Sequence, residues 1–389
     1  MGALFFYPRE AGMMHVPFNR ATVCGNEMAY VQEAVAKGAF SGDGPFTRKC
    51  EALLQEWFGS KQVLLTTSCT HALETAALAL QFQPGDEVII PAYTFVSTAN
   101  AFALHGARPR FVDVRPDTVN LDESKLEAAI TPRTRAIVPV HYAGVPCAMD
   151  AICSIAEARG IAVVEDNAHG IFGRYKGKPL GTFGCMAAHS FHDTKNITCG
   201  EGGALAVNEE QYRVPAEIIR MKGTNRAQFV RGDVDKYSWR MLGSSYIPAD
   251  LLAAFLYGQL EQREKIQARR KEICEAYRAA LAPWAERNGI ALTPEPTDST
   301  PTYHIFYVLP RDADSAKRLF AHLRERGVHV SYHYPALHLA DMAQQFGAKP
   351  GDCPMAESIA ERLIRLPLFY SLTDDEVAYV AESAASFVR

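Results

Sequence analysis

Three polar segments of the chain contain residue types that could carry out chemistry together. Asp166 ends the apolar run VVED at 163–166, Lys195 ends SFHDTK at 190–195, and small hydroxyl residues fill TTSCTHAL at 66–73. Taken alone, each has an ordinary explanation: a turn or capping carboxylate, a solvated lysine, and a helix N-cap. A carboxylate, an amine and a helix N-terminus at one edge of a sheet would instead form a cofactor site.

The cofactor that these residue types fit is pyridoxal phosphate (PLP). PLP needs a lysine for its Schiff base and an acid against its pyridinium nitrogen. Its phosphate suits a helix N-terminus, where free N–H groups and the helix dipole favour an anion. Phe95, in PAYTFVSTAN, follows another apolar run and could stack on the pyridine ring. We therefore expect Lys195, Asp166 and Phe95 to surround a PLP molecule.

The elements that must position these residues are strands of a buried sheet. Seven short runs read as strands, and most of them are continuously apolar rather than alternating, which is typical of strands covered on both faces. They lie at 63–67, 87–92, 110–114, 136–142, 162–166, 187–192 and 204–207. Helical patterns separate several of them, at 70–80, 97–105, 122–130 and 149–160. This alternation predicts an α/β fold whose central sheet is mostly parallel and covered by helices.

The pattern changes near residue 250, where we place a domain boundary. A helical stretch without a strong breaker runs from 250 to 281 and leads into a smaller α+β region. We expect an N-terminal extension over 1–15, a large α/β domain over 16–250 and a small C-terminal α+β domain over 251–389.

Composition and charge exclude several classes of protein. The 389 residues are 48% hydrophobic and 22% charged, close to globular averages, which excludes a disordered chain. Forty basic and 44 acidic residues give a net charge of −4, so no basic excess points to nucleic acid or to an anionic membrane. No apolar run approaches the roughly 18–20 residues of a membrane span. The nine scattered cysteines show no CxxC or zinc-type spacing, and we expect a cytoplasmic protein without a metal site.

The chain from about 16 to 389 resembles the DegT/StrS-type sugar-nucleotide aminotransferases of PLP fold type I. The resemblance lies in SFHDTKNITCGEGG, VVEDNAHG, TTSCTHALE and PAYTFVSTANAF. It implies a transamination in two half-reactions through the pyridoxamine form, and a homodimer with shared active sites. KGTNRAQF and GSSY resemble the subgroup that makes dTDP-4-amino-4,6-dideoxygalactose. That likeness implies a dTDP-4-keto-6-deoxyhexose as amino acceptor and L-glutamate as amino donor.

The resemblance also implies a role for each cofactor-facing residue. Lys195 would form the Schiff base and move the proton between the cofactor and C4 of the sugar. Asp166 would keep the pyridinium nitrogen protonated, because a nearby carboxylate stabilises that positive charge. His169 would lie near the phenolic oxygen of the cofactor, and Phe95 would stack on its ring.

The phosphate of the cofactor would be held by Ser190 and by the Cys69–Thr70 turn. The family usually has Ser-Gly-Thr in this turn, so Cys69 requires a backbone without positive φ. Many relatives also supply an Asn from the neighbouring subunit, and Ser245 stands at that position here. A serine hydroxyl can still donate one hydrogen bond to a phosphate oxygen.

The sequence offers fewer candidates for binding the substrate than for binding the cofactor. Lys222 and Arg226 could bind the nucleotide diphosphate, since ammonium and guanidinium groups suit phosphate oxygens. His333 is a candidate for the sugar side. A solvated charge explains Lys222 and Arg226 equally well, and a core or edge histidine is the more common explanation for His333. His304, Tyr332 and His338 have weaker claims.

Other functions are weighed against the sugar aminotransferase. The same chemistry could give the 4-amino-4,6-dideoxyglucose epimer or act on another nucleotide sugar. A PLP sugar dehydratase of this fold replaces the lysine, usually with histidine, and Lys195 argues against it. A non-catalytic sugar-nucleotide regulator would lose Lys195 or Asp166, and an NAD-linked epimerase would need a glycine fingerprint that the chain lacks.

Overall fold

The computed structural model describes residues 14–388. The predicted extension over 1–15 lies, apart from residues 14 and 15, outside the described residues. The described helices are α1 (Glu27–Ala36), α2 (Pro45–Phe58), α3 (Cys69–Leu80), α4 (Val96–Ala103), α5 (Leu126–Ala129), α6 (Met149–Glu157), α7 (Arg213–Arg220), α8 (Arg226–Arg231), α9 (Asp250–Glu261), α10 (Arg263–Asn288), α11 (Ala313–Glu325), α12 (Asp341–Gln345), α13 (Pro354–Ala360) and α14 (Asp374–Ala385).

The described strands form three sheets with the orders β1-β9-β8-β5-β4-β2-β3, β10-β12-β14-β13 and β11-β6-β7. Their bounds are β1 (Gln62–Thr66), β2 (Glu87–Pro91), β3 (Arg108–Val112), β4 (Thr134–Ile137), β5 (Ala162–Asp166), β6 (Arg174–Tyr175), β7 (Lys178–Pro179), β8 (Met186–Ser190), β9 (Gly203–Val207), β10 (Ala291–Leu292), β11 (Ser299–Thr300), β12 (Tyr307–Leu309), β13 (Ser331–Tyr332) and β14 (Ile364–Arg365).

The seven-stranded sheet confirms the predicted fold class. Each of its strands overlaps one of the seven apolar runs, and β9 is antiparallel to both of its neighbours, β1 and β8. The other neighbouring strands of this sheet are parallel. Every residue of β2, β8 and β9 is buried, as continuous apolar runs require.

Helices cover both faces of this sheet because successive strand side chains point to opposite sides. On one face, Leu64 and Val164 belong to a core with α3, α4 and α7. On the other face, Val63 and Leu65 pack with α2 and α9, while Ile137 and Val163 pack with α5 and α6. The sheet is therefore enclosed, and its ligand-binding positions lie at the strand ends.

A second sheet of four antiparallel strands, β10-β12-β14-β13, has its own core with α10, α11 and α14. The core includes Val16, whose backbone bonds Gly327 and His329 at 3.0 Å. The chain therefore enters the fold through this C-terminal core before it builds the large sheet. The domain boundary at 250 stays a prediction.

The prediction of one unbroken helix over 250–281 is wrong. Gln262, at φ −97° and ψ 10°, ends α9 and precedes α10. Because of this break, the two helices pack into different hydrophobic cores. Leu256 of α9 packs with the large sheet, and Tyr277 of α10 packs with the small sheet. No breaker residue marks the site, so the hydrophobic pattern alone does not reveal it.

Among the described residues, no helix is long and apolar enough to cross a membrane. Within the same range, no group of three or more His, Cys, Asp or Glu side chains is placed to hold a metal ion.

The buried carboxylate of Asp250 caps the N-terminus of α2. Gly44 offers that helix no side-chain cap, and Asp250 instead accepts bonds from the backbone N–H groups of Phe46 (3.2 Å) and Thr47 (2.7 Å). We expect Asp250→Ala to lower the free energy of unfolding by about 3 kcal/mol, because it strands buried donors.

Chemical denaturation followed by circular dichroism measures this loss. Asp341→Ala, at the exposed first residue of α12, is the matched control and should change the free energy of unfolding by less than about 0.5 kcal/mol. Equal effects of the two substitutions would contradict the capping role.

Candidate active site

The carboxyl ends of β5 and β8 and the N-termini of α3 and α4 converge on one cavity of about 600 Å³. Asp166 is the last residue of β5, and Ser190 is the last residue of β8. Ser68 caps α3 and accepts a hydrogen bond from the His71 N–H at 3.1 Å, and Phe95 precedes α4. The cavity thus lies where open α/β sheets bind ligands.

Asp166 is buried at the floor of the cavity. The Thr98 hydroxyl donates to its Oδ2 at 2.7 Å, and the Ala168 N–H donates to its Oδ1 at 3.1 Å. The Thr94 and Thr98 hydroxyls lie 2.8 Å apart and extend this chain of hydrogen bonds. Burial raises the pKa of Asp166 against the opposing effect of its hydrogen bonds. No cationic side chain of residues 14–388 forms an ion pair with it, so the carboxylate can accept a positive charge from a ligand.

Lys195 lies in the loop after β8 and lines the same cavity. Its backbone N–H bonds the His192 carbonyl at 2.9 Å, which closes a turn. Burial lowers the pKa of its amine from 10.5 to about 8, and the nearby positive charge of Arg365 adds to that effect. Its Nζ atom has no hydrogen-bond partner in the described part of the chain. An unpartnered amine with a lowered pKa reaches its neutral form more readily than an ordinary lysine does, and that form can act as a nucleophile or a base.

Three histidines form one wall of the cavity. The ring centroid of His169 lies 4.5 Å from that of His304 and 6.0 Å from that of His333. Burial lowers the pKa of all three well below the ordinary value, so each is neutral at pH 7. The other contacts of His304 and His333 run to Asn196 (2.8 Å) and the Tyr142 hydroxyl (3.2 Å), whereas Nδ1 of His169 is enclosed without a partner.

The turn before α3 is shaped to receive an anion. Cys69 and Thr70 begin the helix, and Cys69 is not among the residues with positive φ, so the family's usual Gly is not needed there. The Thr70 hydroxyl lies 2.8 Å from that of Ser97 in α4. A side chain at Gly203 of β9 would come within 2.4 Å of the Cys69 nitrogen, so glycine lets β9 pack against the turn. Burial keeps the Cys69 thiol protonated by raising its pKa.

Phe95 is 53% exposed and lines the cavity, with its ring centroid 5.7 Å from that of Tyr334. An exposed aromatic ring at the rim of a cavity leaves a face free for a ligand.

The structure brings together the cofactor-facing residues and His333, which was predicted for the substrate side; the cavity-lining set is Cys69, Thr70, Phe95, Asp166, His169, Ser190, Lys195 and His333. Lys222, Arg226 and Ser245 do not line it: all three are exposed, and the backbone of Lys222 bonds the Ser244 carbonyl at 2.9 Å. Their roles in substrate or phosphate binding stay predictions.

Two residues of the site were missed by sequence reasoning. Thr98 is buried behind the cavity and donates to Asp166; it lies one turn after Phe95 within PAYTFVSTAN, so the helix period was a usable signal for it. Arg365 begins RLPLFY, far along the chain from the other cavity residues, and no pattern signalled its approach to them.

The chain belongs to the DegT/DnrJ/EryC1/StrS aminotransferase family, because the sequence model of that family matches residues 22–385. It is 34% identical over 383 residues to the spore coat polysaccharide biosynthesis protein SpsC of Bacillus subtilis, covering 96% of this chain and 97% of that protein. The family resemblance noted from the sequence is therefore confirmed, and the protein is an aminotransferase of this family.

Solved structures agree with this assignment. Spr1654 of Streptococcus pneumoniae, in its PLP form, superposes with a TM-score of 0.88 at 26% identity, covering 96% of this chain and 98% of that one. S. venezuelae DesV in complex with a ketimine intermediate gives a TM-score of 0.88 at 30% identity, covering 96% and 100%. Spr1654 also has a PMP form. The cofactor of this protein is PLP, and the free carboxylate, free amine and anion-binding turn fit it.

The lowered pKa of Lys195 predicts when the apoprotein reacts with PLP. Only the neutral amine attacks an aldehyde, so the rate should rise with pH and level off above about pH 8, whereas an ordinary lysine would level off only above its pKa of about 10.4. Stopped-flow measurement of the visible absorption of the bound cofactor between pH 6.5 and 10 checks this.

Lys222→Ala, which removes an exposed lysine, should leave that absorption intact, whereas Lys195→Ala should abolish it. A midpoint near pH 10, or absorption that survives Lys195→Ala, would show that another amine binds PLP.

Proposed function

We propose that the protein transfers an amino group from L-glutamate to C4 of a dTDP-4-keto-6-deoxyhexose, giving dTDP-4-amino-4,6-dideoxygalactose. The observation that carries this proposal is one cavity that contains both a buried lysine amine without a hydrogen-bond partner and a buried carboxylate that forms no ion pair within the described residues. Lys195 holds the cofactor through its amine, and Asp166 faces the pyridine nitrogen.

When bound, PLP supplies an electron sink that stabilises negative charge at the reacting carbon. Asp166 makes that sink effective, because a buried carboxylate keeps the ring nitrogen protonated. Thr98 and the Ala168 N–H fix the orientation of the carboxylate with one bond to each oxygen. Their bonds also favour its charged form, which burial opposes.

Lys195 is the base of the reaction in this proposal. Its amine would hold the cofactor before the substrate binds and, once released, would carry the proton to and from C4 of the sugar. Burial brings its pKa to about 8, so it both gives and takes a proton near neutral pH. The neutral ring of His169 lies beside it and lines the cavity, where it can bond the phenolic oxygen of the cofactor.

The phosphate is held by the N-terminus of α3, by the hydroxyls of Thr70 and Ser190, and by Ser245 of a second copy of the chain. A homodimer is supported by apolar side chains in the segment before Ser245: Val230, Trp239 and Leu242 are each at least 70% exposed. Exposed apolar surface of this extent is typical of a protein interface. The partner would carry Ser245, Lys222 and Arg226 toward the cavity of the first copy.

The identity of the sugar nucleotide rests on KGTNRAQF and GSSY, which resemble the dideoxygalactose-forming subgroup. Lys222 and Arg226 of the first segment would bind the diphosphate, and His333 would contact the sugar. The reaction belongs to polysaccharide biosynthesis in the cytoplasm. The 4-amino-4,6-dideoxyglucose epimer and other nucleotide sugars are the alternative products. A non-catalytic regulator is disfavoured, because it would have no use for a buried amine of lowered pKa.

Loss of the acid at the ring nitrogen should impair the reaction more than binding. We expect Asp166→Asn to keep the cofactor but to lower kcat by at least 100-fold, because an amide does not stabilise a protonated ring nitrogen. Thr98→Val removes one hydrogen bond to that carboxylate and should lower kcat by roughly tenfold.

Thr94→Val is the matched control, since it leaves the bond from Thr98 to Asp166 in place, and its effect should be smaller than that of Thr98→Val. Steady-state kinetics with a fixed sugar nucleotide measure all three variants. Wild-type kinetics in Asp166→Asn would mean that another acid faces the cofactor.

The product itself tests the substrate assignment. PLP-loaded enzyme is incubated with dTDP-4-keto-6-deoxyglucose and L-glutamate, and the product is identified by mass and by the proton couplings at C4. We expect an axial amine, as in the galacto configuration. An equatorial amine would replace the product with its gluco epimer, and the absence of product would direct the same assay to UDP- and GDP-linked keto sugars.

A further inference from the structure

Arg365 is a cavity residue without an assigned role. It ends β14, the strand that lies between β12 and β13 in the small sheet, where its backbone pairs with Tyr307 and Ser331. Its partly buried side chain lines the cavity that contains Lys195 and Asp166. The cavity therefore takes its cofactor-facing residues from the large sheet and this cation from the small one.

The guanidinium of Arg365 has no counter-charge. Within residues 14–388 it forms no ion pair or hydrogen bond, and its Nε atom is enclosed without a partner. Its Cζ atom lies 4.8 Å from the ring centroid of Phe18. The hydroxyl-bearing groups near it are the phenols of Tyr93, Tyr142 and Tyr334, which burial keeps neutral by raising their pKa.

Two other buried arginines of the chain, unlike Arg365, have partners for their guanidinium groups. Arg220 pairs with Glu51 at 2.6 Å and with Asp43 at 2.9 Å. Arg270 donates to three backbone carbonyls at 2.7 to 3.2 Å. A cation removed from water is costly unless it is paired and hydrogen-bonded. Arg365 is therefore placed to receive an anion that the described part of the chain does not supply.

The position of Arg365 beside Lys195 restricts which anion this is. In an α-amino acid, the carboxylate carbon lies about 2.5 Å from the amino nitrogen, two bonds away. The amino nitrogen of the donor must replace that of Lys195, so the α-carboxylate stays within a few ångströms of the lysine. The diphosphate of a sugar nucleotide is attached at C1, and the sugar ring separates it from the reacting C4.

We propose that Arg365 binds the α-carboxylate of the amino donor through paired N–H···O bonds and so selects α-amino acids as donors. This inference rests on the function proposed above and adds the residue that recognises the donor. Guanidinium and carboxylate match in planar geometry, which gives specificity as well as binding energy. In the second half-reaction the same guanidinium meets uncharged sugar hydroxyls, which can accept its hydrogen bonds.

The test compares donors in the isolated first half-reaction, followed by the change in cofactor absorption. Wild-type enzyme and Arg365→Gln in their PLP forms receive L-glutamate, its α-carboxamide or its γ-carboxamide. We expect Arg365→Gln to lower kcat/KM for L-glutamate on the order of 100-fold. The preference for the α-carboxylate over the α-carboxamide should collapse, while the effect of the γ-carboxamide stays the same in both enzymes. Arg365→Lys should recover part of the loss.

Two controls separate a binding role from a structural one. Arg318→Gln, at an exposed arginine of α11, should behave as wild type. The PMP form of Arg365→Gln is also mixed with the keto sugar. The fold-loss of rate in this half-reaction should be at least tenfold smaller than the fold-loss in the donor half-reaction. An unchanged preference for the α-carboxylate would overturn the proposal, and so would a greater loss on the sugar side, which would assign Arg365 to the sugar nucleotide.

Calorimetric titration with glutarate, which has the carboxylates but no amine, gives a readout that needs no turnover. It should bind the PLP form of the wild type and Arg318→Gln, and bind Arg365→Gln at least tenfold more weakly. If the wild type transfers no amino group from L-glutamate, the proposed function fails, and this titration still decides the role of Arg365. Equal binding to all three proteins would overturn that role.

Discussion

The carboxylate of Asp166 lies at the end of a buried strand, where burial favours its neutral form and two hydrogen bonds favour its charged form. No basic side chain of the described chain pairs with it. A cationic ring nitrogen removes this imbalance, because an opposite charge at close range stabilises the carboxylate. Cofactor binding and ionisation of Asp166 are thus linked, because this hydrogen-bonded carboxylate gains an ion-pair partner when the cofactor binds.

The remaining charges of the cavity follow from this constraint. Lys195 and Arg365 both lie in a region that disfavours positive charge, and each lowers the pKa of the neighbouring histidines. The imidazoles of His169, His304 and His333 therefore remain neutral and add hydrogen-bonding capacity without more positive charge. The buried carboxylate and these two basic side chains each lack an ion-pair partner within the described chain. Because these groups are largely shielded from water, each charge interacts strongly with an opposite charge on a ligand.

Much of the large sheet was predictable because its strands are buried on both faces and so appear as continuous apolar runs. Asp166 was recognisable because it ends such a run, and Ser190 and Lys195 because of the SFHDTK segment that resembles the family. The break at Gln262 was not predictable, since no local residue causes it and packing against two cores does. Arg365 could not be predicted for a related reason. It lies 170 residues after Lys195 in the sequence, and the two residues come close only because the small sheet packs beside the large one.

The first described residues cross between these two sheets. Val16 pairs with Val328 of the small core, the Phe18 ring lies against Arg365, and the Asn19 amide bonds the Asp193 carbonyl at 3.2 Å, two residues before Lys195. One short stretch of chain thus contacts the core of the small sheet, the guanidinium and the lysine loop in turn. A displacement of the small sheet would pull on this tether and move the loop that carries the reactive amine, so the position of the small sheet and the alignment of Lys195 are mechanically coupled.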